Sequence, residues 1–270
     1  MNICAIFPHP DDAALNAGGT LARWAAEGHA VTAVCCTRGD LGTLRRDQSA
    51  ADLAGKRAAE LRKANGILGV TTTEILDFPD GGLLDPTALR AELVRCLRQY
   101  RPDRVLTLDP WAAYEVHPDH ITIGRLASEA AAFSCFPLLH PEQLERGFEP
   151  HNAREVWYMG LLGRPPNTFV SIGEQLPRKV EALLSFEATL DIIEGLYPGG
   201  DAGSEAAGDN LRERTSRWIE AAARQFGKPV GLAAAEPFIV QRCAPGHFDN
   251  LSELHAAMLG QPTAPPQVVE

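Results

Sequence analysis

Short apolar runs alternate with segments of helical periodicity through the first half of the chain. The apolar runs lack the alternation of a strand that faces water on one side, so they are typical of strands buried on both faces. Glycine follows two of the helical segments, at Gly28 and Gly69, where it favours a helix end. The predicted strands are Ile3–Phe7, Val31–Cys36, Thr73–Leu76 and Arg104–Leu108, and the predicted helices are Gly18–Glu27, Lys56–Leu68 and Thr87–Tyr100.

This order of elements predicts an α/β fold with a Rossmann-like, mostly parallel sheet and helices on both faces. Beyond about residue 132 the pattern loosens, and we expect additional strands and helices there. They are the strands Glu155–Leu161, Phe169–Ile172 and Pro237–Gln241 and the helices Val180–Ile193 and Leu211–Phe226. Gly195–Gly208 is typical of a mobile surface loop. We expect residues 1–260 to form one domain and the proline-rich residues 261–270 to be disordered.

Two clusters of ionisable side chains come just after two of these strands. The first is Pro8-His9-Pro10-Asp11-Asp12, and the second is His117-Pro118-Asp119-His120. Either cluster alone has an ordinary explanation as loop residues. If the two strands are neighbours in the sheet, their carboxyl ends meet at one edge and the clusters converge. Adjacent carboxylates in that setting either raise the pKa of one carboxyl group or invite a bound cation.

The types of ligand indicate which cation. Two imidazoles and one carboxylate suit Zn²⁺ or Fe²⁺ better than Mg²⁺ or Ca²⁺, which prefer oxygen ligands. Three protein ligands with one open position are typical of a catalytic zinc site. Spacing alone does not decide whether Asp11 or Asp12 is the ligand.

Charge and composition narrow the class of partner. The formal net charge of −10 at pH 7 disfavours nucleic acid or an anionic membrane, since both require a basic face. No apolar run approaches the length of a membrane span, and the first residues do not resemble a secretion signal. The six cysteines include no C-x-x-C pair. These features predict a cytoplasmic protein that acts on a small molecule.

The joint pattern of motifs resembles the PIG-L/LmbE family of zinc-dependent de-N-acetylases. Besides the two clusters, the matching motifs are Gly18-Gly19-Thr20-Leu21-Ala22, Glu27-Gly28-His29 and Thr37-Arg38-Gly39, in about the first half of the chain. Members of the family deacetylate glucosaminyl-phosphatidylinositol, mycothiol and bacillithiol precursors, chitobiose and glycopeptide antibiotics. The resemblance implies a hydrolase that removes an N-acetyl or other N-acyl group from an amino sugar or glycoside by attack of a metal-bound water.

The resemblance also implies a role for each clustered side chain. Asp11 would be the general base that deprotonates the metal-bound water. His117 would stabilise the oxyanion and help the amine to leave, and Asp119 would orient His117. The metal ligands would be His9, Asp12 and His120.

Substrate contacts are implied at further positions. Family members hold sugar hydroxyls with an arginine after the second strand and an acid after the third, and Arg57 and Asp80 occupy these places. Tyr114, like Trp111 nearby, is a candidate for stacking on a sugar or binding its hydroxyls. Ala13-Ala14 stands where the family commonly has Glu or Ser, which removes a polar group near the metal ligands.

Two other interpretations stay open. The first keeps the amidase chemistry but changes the substrate to a thiol conjugate or another non-sugar N-acyl metabolite. The second is a non-catalytic, regulatory Rossmann-like domain in which Asp11 and Asp12 hold Mg²⁺, which leaves His9 and His120 without a role. The oligomeric state is also open, a homo-oligomer included.

Overall fold

The computed structural model describes residues 1–82, 85–161, 163–196, 210–248 and 265–270. Within them, helices cover both faces of a nine-stranded sheet. The strands are Asn2–Phe7 (β1), Ala30–Thr37 (β2), Thr72–Phe78 (β3), Arg104–Leu108 (β4), Glu155–Met159 (β5), Thr168–Ser171 (β6), Ala235–Ala244 (β7), His247–Phe248 (β8) and Gln267–Val269 (β9). The α-helices are Asp12–Ala26 (α1), Ala50–Leu68 (α2), Pro86–Tyr100 (α3), Pro118–Phe133 (α4), Pro141–Glu145 (α5), Leu176–Leu184 (α6), Glu187–Leu196 (α7) and Leu211–Gly227 (α8).

The order of the strands reverses at β1. The sheet runs β3-β2-β1-β4-β5-β7-β6-β9, with β8 paired to β7, so β2 and β4 flank β1 and both lie parallel to it. In open α/β sheets, ligands bind beyond the carboxyl ends of the strands at such a reversal. The two polar clusters follow β1 and β4, which are neighbours in the sheet, and they share this edge.

Both faces of the central strands are buried in apolar cores. Alternate residues of β1 enter opposite cores: Ile3, Ala5 and Phe7 join one, and Cys4 and Ile6 join the other. Helices α1, α2, α6 and α8 cover the first face, and α3 and α4 cover the second. Burial on both faces explains why the apolar runs show no alternation in the sequence.

The C-terminal half extends the parallel sheet with antiparallel strands. β5 is parallel to β4, whereas β7 is antiparallel to both β5 and β6. The predicted α/β class, with a mostly parallel sheet and additional elements in the second half, is confirmed. No helix in the described ranges is long and apolar enough to cross a bilayer.

Two helices differ from the prediction. α1 begins at Asp12, well before the expected start at Gly18, so the first cluster continues directly into a helix. The expected helix Val180–Ile193 is instead the pair α6 and α7, with Ser185-Phe186 between them. The side chain of Phe186 is fully buried in the core below the break.

The C-terminal tail is partly ordered. Gln267–Val269 pair in parallel with Thr168–Val170 of β6, so the prediction that residues 261–270 are disordered is wrong for this strand. Residues 261–264 lie outside the described residues. The predicted mobile loop Gly195–Gly208 also lies outside them, except for its first two residues, which end α7. One domain over residues 1–260 stays a prediction.

Candidate metal centre and active site

The two polar clusters meet beyond the carboxyl ends of β1 and β4. His9 lies in the turn that leaves β1, and Asp12 is the first residue of α1. His117 is the N-cap of α4, and His120 lies in the first turn of that helix. Both helices therefore direct their N-terminal ends, which favour negative charge, to the same place.

Three side chains place their donor atoms at distances that suit a single metal ion. His9 Nδ1 is 3.2 Å from His120 Nε2 and 3.2 Å from Asp12 Oδ2. His120 Nε2 is 3.6 Å from Asp12 Oδ1. Atoms bound tetrahedrally to Zn²⁺ at its usual bond lengths lie about 3.3 Å apart. The structure thus brings together the predicted ligands, the two histidines facing different oxygens of Asp12, at spacings that a tetrahedral metal ion would accept.

The second ring nitrogen of each of these histidines faces a carboxylate. His9 Nε2 is 3.0 Å from Asp80 Oδ1, and His120 Nδ1 is 2.7 Å from Glu115 Oε2. A carboxylate that accepts the outer N–H fixes the tautomer and directs the lone pair of the other nitrogen to a metal. His9 would then bind through Nδ1 and His120 through Nε2.

Further candidate donors surround the same point. A nitrogen of His117 lies within 4.8 Å of nitrogens of His9 and His120, and His9, Asp80, His117 and Asp119 form a second such group. His117 Nδ1, however, already accepts the backbone N–H of Asp119 at 3.3 Å. Asp80 is held by His9. His117 and Asp80 thus lie close to the same point, and the choice of His9, Asp12 and His120 as the ligands follows the family resemblance.

Negative charge dominates this centre. Burial alone lowers the pKa of His9, but Asp12, Asp119 and Asp80 outweigh it and raise that pKa to about 12. Against the opposing effect of burial, His9 holds the pKa of Asp12 and that of Asp80 below the ordinary range. A proton on His9 compensates these carboxylates in the metal-free protein, and a divalent cation would do so in its place.

His117 has a neutral ring with a defined donor. Burial, together with neighbouring His9 and His120, lowers its pKa. Because Nδ1 accepts the Asp119 N–H, the proton of the neutral ring is on Nε2. The ring stacks on that of His120 with centroids 4.6 Å apart. His117 can therefore donate a hydrogen bond beside the group of three ligands.

The carboxylate of Asp119 has other partners than the expected His117 ring. Its two oxygens accept the N–H groups of Gly81 and Gly82 at 2.8 and 2.7 Å. Both glycines have positive φ, +83° and +77°, which disfavours a side chain there. Asp119 contacts His117 through its backbone, while its side chain fixes the loop after β3.

Two donors hold the carboxylate of Asp11. Arg57 Nη2 donates to Oδ1 at 2.6 Å, and Thr189 Oγ1 donates to Oδ2 at 2.7 Å. Arg57 is itself buried, and its Nη1 donates to the carbonyl of Gly39 at 3.1 Å. Asp11 is therefore fixed in one orientation next to Asp12.

The predicted substrate contacts differ in their accessibility. Arg57 and Asp80 are both only 4% exposed, and they contact Asp11 and His9 directly. Tyr114 is 77% exposed and lies on the loop between β4 and α4. Exposure thus makes Tyr114 the most accessible of these three predicted contacts.

The sequence did not reveal the roles of Glu115 and Thr189. Glu115 also accepts the backbone N–H of His117, through Oε1 at 2.7 Å, and its closeness to the second cluster was the only available signal. Thr189 belongs to no motif. The packing of α7 on α2, where the Ala188 N–H donates to Glu60 Oε1 at 3.2 Å, brings it to Asp11.

Known proteins resemble the chain over the segment that contains this centre. A model of the PIG-L family, described as GlcNAc-PI de-N-acetylase, matches residues 4–131. A diacetylchitobiose deacetylase of Thermococcus kodakarensis is 36% identical over 186 residues, 69% of either chain. A 1D-myo-inositol 2-acetamido-2-deoxy-alpha-D-glucopyranoside deacetylase of Streptomyces avermitilis is 36% identical over 165 residues, 51% of this chain and 55% of that protein.

Similarity in structure extends over more of the chain. The N,N'-diacetylchitobiose deacetylase of Pyrococcus horikoshii, solved with an inhibitor, matches with a TM-score of 0.77 and 28% identity. The match covers 93% of this chain and 88% of that one. The segment matched by the family model contains every side chain described at the centre except Thr189.

Proposed function

The chain belongs to the PIG-L family of de-N-acetylases, and we propose that it is a metal-dependent hydrolase that removes an N-acetyl group from an amino sugar or glycoside. The observation that carries this proposal is the group His9, Asp12 and His120, with a carboxylate behind each histidine. The names of two relatives support the substrate class, because each names an N-acetylated sugar.

The donor set fits Zn²⁺, with Fe²⁺ as the alternative. Two imidazoles and one carboxylate are ligands that these ions accept readily, and the 3.2–3.6 Å separations match a tetrahedral site. When bound, such an ion lowers the pKa of a coordinated water and polarises a carbonyl oxygen.

Asp11 is the proposed general base. It accepts the proton of the attacking water as the oxygen adds to the amide carbonyl. Arg57 and Thr189 already hold both of its oxygens, so little reorganisation is needed when the reaction begins.

His117 is proposed to stabilise the carbonyl oxygen of the substrate amide and so to assist departure of the amine. Its Nε2–H donates to the carbonyl oxygen as negative charge develops there. The leaving amine must take up a proton to depart, and the proton that Asp11 accepted from the water balances this step. A neutral His117 that lost its Nε2–H would become an anion, so it assists by stabilising the oxygen while the amine departs. Asp119 supports this role through its backbone N–H on His117 Nδ1.

The substrate is proposed to reach the centre past the loop between β4 and α4. Exposed Tyr114 and Trp111 on that loop are the proposed contacts for a sugar ring. We assign buried Arg57 and Asp80 first to holding Asp11 and His9, and contact with sugar hydroxyls remains a proposal for both. A non-sugar N-acyl metabolite or a thiol conjugate is the alternative substrate.

Acetate release from N-acetylated sugars tests the function. Purified protein is assayed on diacetylchitobiose and on N-acetylglucosaminyl glycosides, before and after chelation and after return of Zn²⁺, Fe²⁺ or Mg²⁺. We expect activity that disappears with the chelator and returns with Zn²⁺. Activity that survives complete removal of metal contradicts the mechanism, and activity on non-sugar amides alone favours the alternative substrate.

Two substitutions separate metal binding from chemistry. His120→Ala should abolish metal binding, whereas Asp11→Asn should keep the metal and lose turnover. Asp47→Asn, at an acid whose side chain is 73% exposed, is the matched control and should change neither. Bound Mg²⁺ without turnover would instead support a regulatory domain.

A further inference from the structure

Gly18-Gly19-Thr20 lies in the middle of α1, where glycine is among the least favourable residues. The helix nevertheless continues through it from Asp12 to Ala26. A Cβ at Gly19 would lie 2.8 Å from side-chain atoms of Ile172, which follows β6, and one at Gly18 would lie 3.4 Å from Lys179 Cγ. The glycines therefore let α1 approach β6 closely and leave room for Lys179 along the helix.

At this point an ion pair bonds the backbone of α1. Lys179 Nζ donates to the carbonyl of Leu15 at 2.7 Å. The N–H groups of Gly19 and Thr20 donate to the carboxylate of Glu236 at 3.0 and 2.7 Å. In a regular helix the Gly19 N–H donates to the Leu15 carbonyl. Lys179 and Glu236 therefore bond the Leu15 carbonyl and the Gly19 N–H, which would bond each other in a regular helix.

Lys179 and Glu236 are buried and come from the C-terminal half of the chain. Their side chains are 7% and 3% exposed, and Nζ donates directly to Oε1. Thr20 Oγ1 adds a further bond to Glu236, at 2.6 Å. Replacing a buried ion pair by apolar residues is often neutral or stabilising, so stability alone does not account for these two charges. The best-attested use of such a pair is to fix a register.

We propose that Lys179 and Glu236 are positioning residues for the N-terminal turn of α1. Lys179 fixes the carbonyl of Leu15, and the Leu15 N–H donates to the carbonyl of Asp11 at 2.9 Å. Two bonds thus join the ion pair to the proposed base, whose neighbour Asp12 is a proposed ligand. Through this link, α6 and β7 fix the position of Asp11 and Asp12, at the start of α1, relative to His117 and His120, at the start of α4. The inference rests on the proposed function of that centre.

The paired variant Lys179→Met/Glu236→Gln is the main test, because it leaves no single charge buried alone. Zn²⁺ affinity is measured by competition with a chromophoric chelator, kcat and KM by acetate release, and stability by urea unfolding. We expect Zn²⁺ affinity to fall about tenfold or more and kcat about 10- to 100-fold. KM should change little, because the proposed substrate contacts are on other elements.

A milder pair at Thr20 decides the question if the paired variant does not fold. Thr20→Val removes one hydroxyl donor to Glu236, whereas Thr20→Ser retains it. The valine variant should lose kcat and Zn²⁺ affinity in the same direction as the paired variant, and the serine variant should keep both. Equal values for the two variants would contradict the proposal.

A second ion pair provides the matched control. Arg95→Met/Glu74→Gln neutralises a partly buried pair between α3 and β3, away from α1. Whatever its effect on stability, it should leave kcat and Zn²⁺ affinity unchanged. If the Lys179/Glu236 variant behaves in the same way, that pair is only structural and the inference is wrong. If the wild-type protein deacetylates no substrate, the proposed function fails separately, and Zn²⁺ affinity still decides this inference.

Discussion

Each proposed histidine ligand has only one ring nitrogen left for a metal. Asp80, from the loop after β3, accepts from His9, and Glu115, just before α4, accepts from His120. The ligands are therefore oriented by carboxylates on two different loops before any ion arrives. The geometry of the centre depends on residues that are not themselves ligands.

Glu115→Gln should weaken metal binding without unfolding the protein. The amide is a poorer acceptor for the His120 N–H, and loss of such an outer partner typically costs about 10- to 100-fold in metal affinity. Zn²⁺ competition with a chelator measures this, with exposed Glu149→Gln as the control. An affinity equal to that of the control would show that Glu115 does not orient His120.

Thr189→Val should lower kcat and leave the metal bound. The change removes one of the two donors to Asp11, and a hydrogen bond to a charged group contributes about 1.5–3 kcal/mol. We therefore expect kcat to fall about tenfold or more, and Thr189→Ser to retain most of it. Steady-state kinetics with metal analysis checks both. A valine variant as active as wild type would exclude Thr189 from positioning the base.

His151 should make stability depend on pH on the acid side of neutrality. Burial lowers its pKa in the folded protein, where its Nε2 donates to the Pro102 carbonyl at 2.8 Å. Above about pH 6.5 the imidazole of His151 is neutral in both the folded and the unfolded state. Below it the unfolded chain takes up the proton first, so stability falls. Urea unfolding should show that His151→Gln loses less stability than wild type between pH 7.5 and 5.5, and parallel losses would contradict this.

Polar side chains also join whole elements by bonding the backbone of neighbouring loops. Asp119 of α4 bonds the loop after β3. Arg98 of α3 donates to four carbonyls in the segment after α4, those of Ser134, Phe136, Leu139 and His140, and to the side chain of Gln143. Arg98 is 2% exposed, and its guanidinium connects α3 to the region around α5.

Arg98→Lys should destabilise the protein although the charge is kept. An ammonium has three donors at one point and cannot reach all the acceptors that the planar guanidinium spans. Buried carbonyls without partners then lower the free energy of unfolding by about 2–4 kcal/mol. Chemical denaturation measures this, and exposed Arg62→Lys is the control. A loss no greater than that of the control would exclude Arg98 as the link.

Element boundaries were harder to predict than element types. The first four strands and the helices between them were predicted, because burial on both faces leaves a clear periodic signal. The start of α1 was predicted too late, since the prolines and aspartates before Gly18 are typical of a turn. The break between α6 and α7 depends on Phe186 entering the core, which periodicity does not encode.

Across the whole molecule, the two halves of the chain contribute differently to the centre. The first half supplies the proposed ligands, the base and His117. The second half supplies Thr189, which donates to Asp11, and the Lys179–Glu236 pair, which bonds the α1 backbone at Leu15, Gly19 and Thr20. The chemistry is thus local in sequence, and its positioning involves the entire fold.

Zn²⁺ should stabilise the folded protein, because its ligands come from β1–α1 and from α4 and exist together only after folding. At about 100 times its dissociation constant the ion should raise the free energy of unfolding by about 2.7 kcal/mol. Thermal unfolding with added Zn²⁺ measures this, and Mg²⁺ should have no such effect. A His120→Ala variant that retains the full shift would locate the metal elsewhere.

The sequence by itself predicted the mostly parallel α/β sheet, the two polar clusters that follow its strands and the proposed ligands His9, Asp12 and His120. These follow from local periodicity, from residue types at short spacing and from a family resemblance. Only the tertiary structure decided the outer partners: Asp80 on His9, Glu115 on His120, Thr189 and Arg57 on Asp11. Such contacts join segments far apart in the chain or depend on how a loop turns, and packing sets them rather than any local pattern.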